Sequence, residues 1–144
     1  MVIDVNLLKR QGKDSENFEF IFSVDSEICL SPDIKFTQGK FTGELVLDGK
    51  VFVTGTLEVL AEGDCSRCLE PAKELVVIDV DEVFSERPVD EEYRYKSGLV
   101  DFSEMIKDKL LSNQPTVIFC KEGCKGLCPK CGCNLNESDC SCEK

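Results

Sequence analysis

The segment CKEGCKGLCPKCGCNLNESDCSC at 120–142 holds seven of the ten cysteines in the chain, and GDCSRCLEP at 63–71 holds two more. Thiolates act as metal ligands, nucleophiles or redox partners, and spacing separates these uses. The spacings here are Cys65-x2-Cys68, Cys120-x3-Cys124, Cys128-x2-Cys131 and Cys140-x-Cys142, with Cys133 inside the third group and Cys29 isolated. In CPKCG, two intervening residues let both sulfurs reach one ion while backbone amides turn inward to donate to them. Gly132 readily takes the positive φ that the end of such a turn needs. Zinc accepts four sulfurs tetrahedrally at about 2.3 Å, and all-thiolate sites of this kind are structural. A saturated ion leaves no position for water or substrate, which argues against a hydrolase.

CSRCLEP is less specific, because Leu69 stands where a zinc knuckle usually has glycine. A redox CxxC pair opens a helix after a strand. This pair instead lies between two strand-like segments, with Pro71 following, which suits a metal turn better. Ten cysteines make two tetrahedral sites with Cys29 and Cys133 left over, a free cysteine often being just a small buried hydrophobe. The preferred division joins Cys65 and Cys68 with Cys120 and Cys124, leaving Cys128, Cys131, Cys140 and Cys142 for a local C-terminal site. The rival is an interleaved arrangement in which the two CxxC pairs share one ion. A single occupied site with a frayed tail is the plainer alternative. Four thiolates also hold iron, so a Cys-ligated iron or redox carrier stays open beside zinc.

Nothing else in the chain is built for catalysis. The sequence has no histidine, so the commonest general base is missing. It has no phosphate-binding glycine loop, no GxSxG and no carboxylate pair that stands out from a generally acidic chain; the expectation is a protein that is not an enzyme and takes no small-molecule substrate. Arg67, Lys121, Lys125 and Lys130 gather around the cysteines. They either touch RNA phosphates or a partner, or offset the negative charge of thiolate-bound zinc.

Net charge is −11, with an excess of acidic residues before residue 120 and a balanced segment after it. A body this acidic is not held to nucleic acid by bulk electrostatics, which needs lysine and arginine. It would more readily meet a basic protein, or the charge simply keeps the surface solvated. The opening MVIDVNLLKR places its positive charges after the apolar run, the reverse of a secretory signal. The longest purely aliphatic run, LVVI at 75–78, is far too short to span a bilayer. The expectation is a cytoplasmic protein whose thiols stay reduced and bind metal.

The elements that must carry these cysteines read as strands first. Phe18, Phe20, Phe22 and Val24 alternate, as do Phe41, Leu45 and Leu47, then Val51, Val53, Leu57 and Val59, then Val76, Ile78, Val80 and Phe84. Asp48-Gly49 between two such runs predicts a two-residue hairpin turn. Residues 85–97 are charged, contain Pro88 and lack an apolar period, so a mobile acidic loop is expected. A helix follows at about 101–112, with Asp101 as N-cap, Glu104 completing a capping box and Val100 with Met105 as staple. Phe102, Met105, Ile106 and Leu110 form its apolar stripe, and Pro115 its stop. The fold class is therefore α+β: an antiparallel sheet or small barrel with one main amphipathic helix over 1–119. A Cys-rich zinc-knuckle segment, 120–144, packs on or next to it.

Taken together and in order, GDCSRCLEP, VDFSEMIKDKLLSNQP and the cysteine-rich tail resemble the bacterial YceD family, linked to accumulation of large-subunit ribosomal RNA. By position, Cys65, Cys68, Cys120, Cys124, Cys128, Cys131 and Cys140 match the family's motif cysteines, and Asn134, Leu135 and Asn136 match its NLN. Cys133 stands where the family usually has a non-ligand. The resemblance implies a non-enzymatic role in large-subunit ribosome assembly or ribosomal RNA processing. The partners it implies are a large-subunit precursor, ribosomal RNA or a basic ribosomal protein. The alternative from a different class is a zinc-binding protein–protein adaptor unrelated to ribosomes.

Overall fold

The computed structural model of the chain describes residues 1–24, 34–115 and 117–137. Cys29, Cys140 and Cys142 lie outside these residues. Four long strands follow the alternating runs: β2 (Ser15–Ser23), β3 (Ile34–Asp48), β4 (Lys50–Asp64) and β5 (Pro71–Ser85). They pair antiparallel in chain order, and the short β6 (Tyr93–Arg94) adds to β5 in parallel. Among the described residues the sheet runs from β2 to β6 without closing into a barrel. A second, two-stranded sheet pairs β1 (Val2–Asp4) with β7 (Leu99–Asp101).

One face of the large sheet forms the core. Phe41 opposes Leu57 and Leu45 opposes Val53, all without solvent exposure. The helix α2 (Ser103–Ser112) covers this face with Met105, Ile106 and Leu110. Phe102, just before it, is the hub of the aromatic packing. Its ring lies 5.1 Å from Phe18, 5.3 Å from Phe41 and 5.7 Å from Phe84 between centroids. Lys109 on the same helix pairs with Glu82 on β5. Midway along the β3–β4 pairing, Gly43 faces Gly55. A Cβ on either would collide with a carbonyl oxygen of the opposite strand, Thr54 or Thr42.

Several local expectations need correction. In the β3–β4 hairpin Asp48 opposes Lys50, and Gly49 alone forms the tip at φ 74°. The pair register therefore leaves one residue between the strands rather than two. Asp101 caps α2 from one residue further out, its carboxylate accepting from the backbone N–H and the hydroxyl of Ser103. Phe102 occupies the N-cap itself, so the box with Glu104 does not form. The stretch 85–97 is held to the body at its second half, residues 92–95, while residues 86–91 stay exposed. Tyr93 stacks on Phe84 and donates to Asp108, Tyr95 is buried with its N–H on the Ser85 carbonyl, and Lys50 pairs with Glu92 at 2.6 Å. Two tyrosines anchor a segment whose charges dominate its composition. A short helix absent from the sequence reading, α1 (Val5–Arg10), buries Val5 and Leu8, and the Asp4 carboxylate accepts from the N–H of Leu7.

Candidate metal centre

Strands β4 and β5 stay paired to their ends, where Asp64 opposes Pro71. The six residues between, Cys65 to Glu70, therefore close a tight turn. The N–H of Cys65 donates to the Glu70 carbonyl at 2.7 Å, and the N–H of Leu69 donates to the Cys65 carbonyl at 2.9 Å. Leu69 takes φ 64°, the left-handed conformation that glycine supplies in other knuckles, and its side chain is exposed. The turn projects Cys65 and Cys68 inward, both buried.

The chain after α2 returns to this turn and brackets it. The N–H of Ser66 donates to the Ile118 carbonyl at 2.8 Å, and the N–H of Leu127 donates to the Arg67 carbonyl at 3.2 Å. Ile118, wholly buried, and Cys124 join the core formed by the sheet and helix. Gly126, at φ 81°, passes so close to Arg67 that a Cβ would lie 3.2 Å from its carbonyl oxygen. This path carries Cys120 and Cys124 to the turn. The sulfurs of Cys65, Cys68, Cys120 and Cys124 all lie within 4.8 Å of one another. Cys65 and Cys124 are 3.7 Å apart and Cys68 and Cys120 3.5 Å apart. A zinc–sulfur bond of about 2.3 Å implies a tetrahedron edge of about 3.8 Å, so the sulfur spacing fits a single four-thiolate ion.

The electrostatics of the four thiols are uneven. Burial works to raise the Cys65 thiol, but backbone hydrogen bonds from Cys68, Cys120 and Arg67 outweigh it and bring it down to about 6. Burial opposes ionisation of Cys124 too, yet the Asn136 amide and the Gly126 backbone hold it below the usual thiol range. Cys120 is pushed up to about 12, first by the Cys68 thiol and then by burial. Cys68 also lies above the usual value: the Glu70 backbone acts to lower it, and burial together with Cys65 and Cys124 prevails. Four sulfurs this close cannot all carry charge without a cation among them.

A second thiol group lies in the tail, where the sulfurs of Cys128, Cys131 and Cys133 lie within 4.8 Å of one another. Cys133, left over in the sequence count, is therefore drawn in with the CPKC pair. Each cluster offers a set of sulfurs that could hold a metal ion.

Of the basic residues, Arg67 is tied into the first cluster. Its Nη1 donates to the Cys124 carbonyl at 2.9 Å and its guanidinium lies 4.6 Å from the centroid of the Phe119 ring. Lys121, Lys125 and Lys130 are exposed. Sequence reasoning found no role for NLN, and the structure supplies one. Asn136 Nδ2 donates to Cys124 Sγ, and its Oδ1 accepts from the N–H of Lys125 at 2.9 Å. Asn134 Oδ1 in turn accepts from both nitrogens of Asn136 at 3.0 Å, and the N–H of Leu135 donates to the Gly126 carbonyl at 2.9 Å. Only the match to the family's NLN pointed to these residues beforehand.

The family described as "Large ribosomal RNA subunit accumulation protein YceD" matches residues 53–144. The chain belongs to the YceD family. The matched span begins within β4 and includes every cysteine of both clusters. Curated relatives include two uncharacterized mycobacterial proteins, Rv2926c of Mycobacterium tuberculosis (strain H37Rv) and Mb2951c of Mycobacterium bovis. Each is 33% identical over 123 residues, covering 80% of this chain and 56% of its own length. The chain thus spans about half the length of the curated relatives it matches. No solved structure matches. Among the described residues, no helix is long and apolar enough to cross a membrane.

Proposed function

We propose that this chain is a cytoplasmic, non-enzymatic zinc-binding factor that supports accumulation and processing of large-subunit ribosomal RNA during ribosome assembly. The observation that carries the reading is the coincidence of the YceD match with the four-thiol cluster, which draws two cysteines from the first half of the matched span and two from the second. Cys65, Cys68, Cys120 and Cys124 would hold one ion, and the tail cysteines a second. A zinc ion so ligated cross-links the β4–β5 turn to the tail. Closed by four sulfurs, it offers no position for water or substrate, so the site's role is to present surfaces.

Two surfaces suit an assembling particle. The exposed Lys121, Lys125 and Lys130 project from the metal-folded tail and can meet phosphates. The outer face of the sheet is acidic. Asp79 and Glu19 lie in one cross-strand row, and Asp81 and Glu44 in the next. That face suits a basic ribosomal protein. With a net charge of −11, the chain should bind naked RNA weakly and with a shallow salt dependence, because few phosphates are contacted.

Sedimentation of the tagged protein with ribosomal precursors tests the reading. The expected result is co-migration with large-subunit precursors and, on depletion, a fall of large-subunit relative to small-subunit ribosomal RNA. Replacing Lys121, Lys125 and Lys130 together with glutamine should weaken the association while leaving bound zinc unchanged. Normal association of that variant would leave the lysines with charge compensation alone. Failure to co-sediment, with both RNAs unchanged on depletion, would replace the ribosomal reading with that of a protein–protein adaptor.

A further inference from the structure

The turn that carries Cys65 and Cys68 recurs, bond for bond, at Cys128 to Cys133. In the first, the N–H of Leu69 donates to the Cys65 carbonyl; in the second, that of Gly132 donates to the Cys128 carbonyl, both at 2.9 Å. Leu69 and Gly132 take left-handed backbones at φ 64° and 77°. The N–H of the first cysteine then donates to the carbonyl of the residue five positions on, Glu70 at 2.7 Å and Cys133 at 2.9 Å. The two turns differ in what occupies that last position. At Glu70 the chain departs along β5, and the remaining sulfurs come from Cys120 and Cys124. At Cys133 the returning residue is itself a thiol, and its sulfur lies within 4.8 Å of those of Cys128 and Cys131. The N–H of Lys130 donates to Cys128 Sγ at 3.4 Å, the inward-turned amide that favours a thiolate in a metal knuckle.

We propose that Cys128, Cys131 and Cys133 are the three ligands this loop gives to a second, separate thiophilic metal ion, with Cys133 a ligand rather than a spare thiol. The inference rests on the reading that the cysteine clusters bind metal, and it adds a ligand set and an order of release. Three ligands from one six-residue loop form a site that opens without disturbing the sheet. In the tail loop Cys128 is buried, Cys133 half-buried and Cys131 exposed, whereas in the first cluster Cys65, Cys68 and Cys124 are buried and Cys120 half-buried, with none exposed. The tail ion therefore exchanges with solution before the buried one.

The test uses the full chain, purified under reducing conditions and loaded with zinc, with native mass spectrometry counting ions. A limiting chelator should first take the count from two to one. N-ethylmaleimide mapping at that point should find Cys128, Cys131 and Cys133 labelled and Cys65, Cys68, Cys120 and Cys124 protected. Cys133→Ser should weaken the second ion by no less than the ~10–100-fold typical of outer-shell changes, without altering the first. The proposal is overturned if Cys133→Ser keeps two ions at unchanged affinity while Cys140→Ser or Cys142→Ser loses one. It is also overturned if the wild-type two-ion form leaves Cys133 open to labelling. That alkylation pattern is read on the unmutated chain, so it holds even if the variant misfolds. Wild-type protein that binds a single ion, guarded by Cys65, sinks this proposal and leaves the four-thiol site standing. Binding no ion at all sinks the metal reading itself.

Discussion

Asn136 reaches across the tail and places its amide Nδ2 3.3 Å from Cys124 Sγ. The bond favours the thiolate at a buried sulfur and fixes where it points. Partners of this kind orient metal ligands, and their loss costs about 10–100-fold in metal affinity. Asn136→Leu should weaken binding of an ion at the first cluster, as proposed above, by about that factor. Asn136→Asp should weaken it further, because a carboxylate faces a thiolate. Competition against a chromophoric chelator measures both, and equal affinity for all three proteins would remove Asn136 from the site.

On the zinc-binding reading, removing an ion from the first cluster should open the tail without unfolding the sheet. The aromatic packing around Phe102 involves Phe18, Phe41 and Phe84, none of them part of the cysteine cluster. Structural zinc contributes roughly 10–16 kcal/mol of apparent binding free energy in small sites, so the segment it holds should lose order with it. Hydrogen exchange after chelation is expected to speed up at Cys124 and Leu127 and to stay slow at Leu45 and Val53. Uniform acceleration would mean that the ion holds the whole domain together.

The facing glycines of β3 and β4 allow no side chain. Gly55→Ala drives a methyl group into the Thr42 carbonyl and the Gly43 Cα, and overpacking of this kind costs about 1–3 kcal/mol. Denaturant titration of the metal-loaded protein should show the loss. Unchanged stability would mean that the strands separate there at little expense.

The Lys50–Glu92 pair should give stability a measurable acid dependence. The Lys50 hydrogen bond, then the Val89 backbone, hold the Glu92 carboxyl below its usual 4.5. A depressed carboxylate stabilises fully above its unfolded value, and the contribution is lost as pH falls through the folded value. Glu92→Gln should therefore lower the thermal midpoint at neutral pH, with the gap to wild type closing below about pH 4.5. A gap that does not vary with pH would assign the effect to packing.

The faces of β3, β4 and β5 were legible because period two places Phe41, Leu45, Val53 and Leu57 on one side, and those residues are fully buried. The α2 stripe was legible for the same reason at helical period. What escaped depended on distant partners. Six residues of α1 are too few to show a period, and β1 becomes a strand only by meeting β7 nearly a hundred residues later. Tyr93 holds the second half of 85–97 against the body through Phe84 and Asp108, and the Tyr95 N–H returns to the Ser85 carbonyl at the end of β5, pairings that composition does not reveal. Cys133 escaped because counting by pairs has no place for a third thiol, while the backbone turn brings it back. Asn136 could not be assigned until Cys124 was known to lie beside it.

The cysteines of the first cluster are far apart in the chain, with Cys68 and Cys120 separated by 52 positions and Cys65 and Cys124 by 59. An ion bound there is a long-range clip that restricts the unfolded ensemble as a covalent cross-link does, closing a loop whose entropy cost grows only slowly with length. It also has an order in time. A chain growing from its N-terminus exposes Cys65 and Cys68 as half a site, and sheet pairing from β2 to β5 can precede the other half. If the cluster takes up metal as proposed, firm capture of an ion would wait until Cys124 has been synthesised, and metal uptake would be a late event in biosynthesis that distinguishes a finished fold from a truncated one.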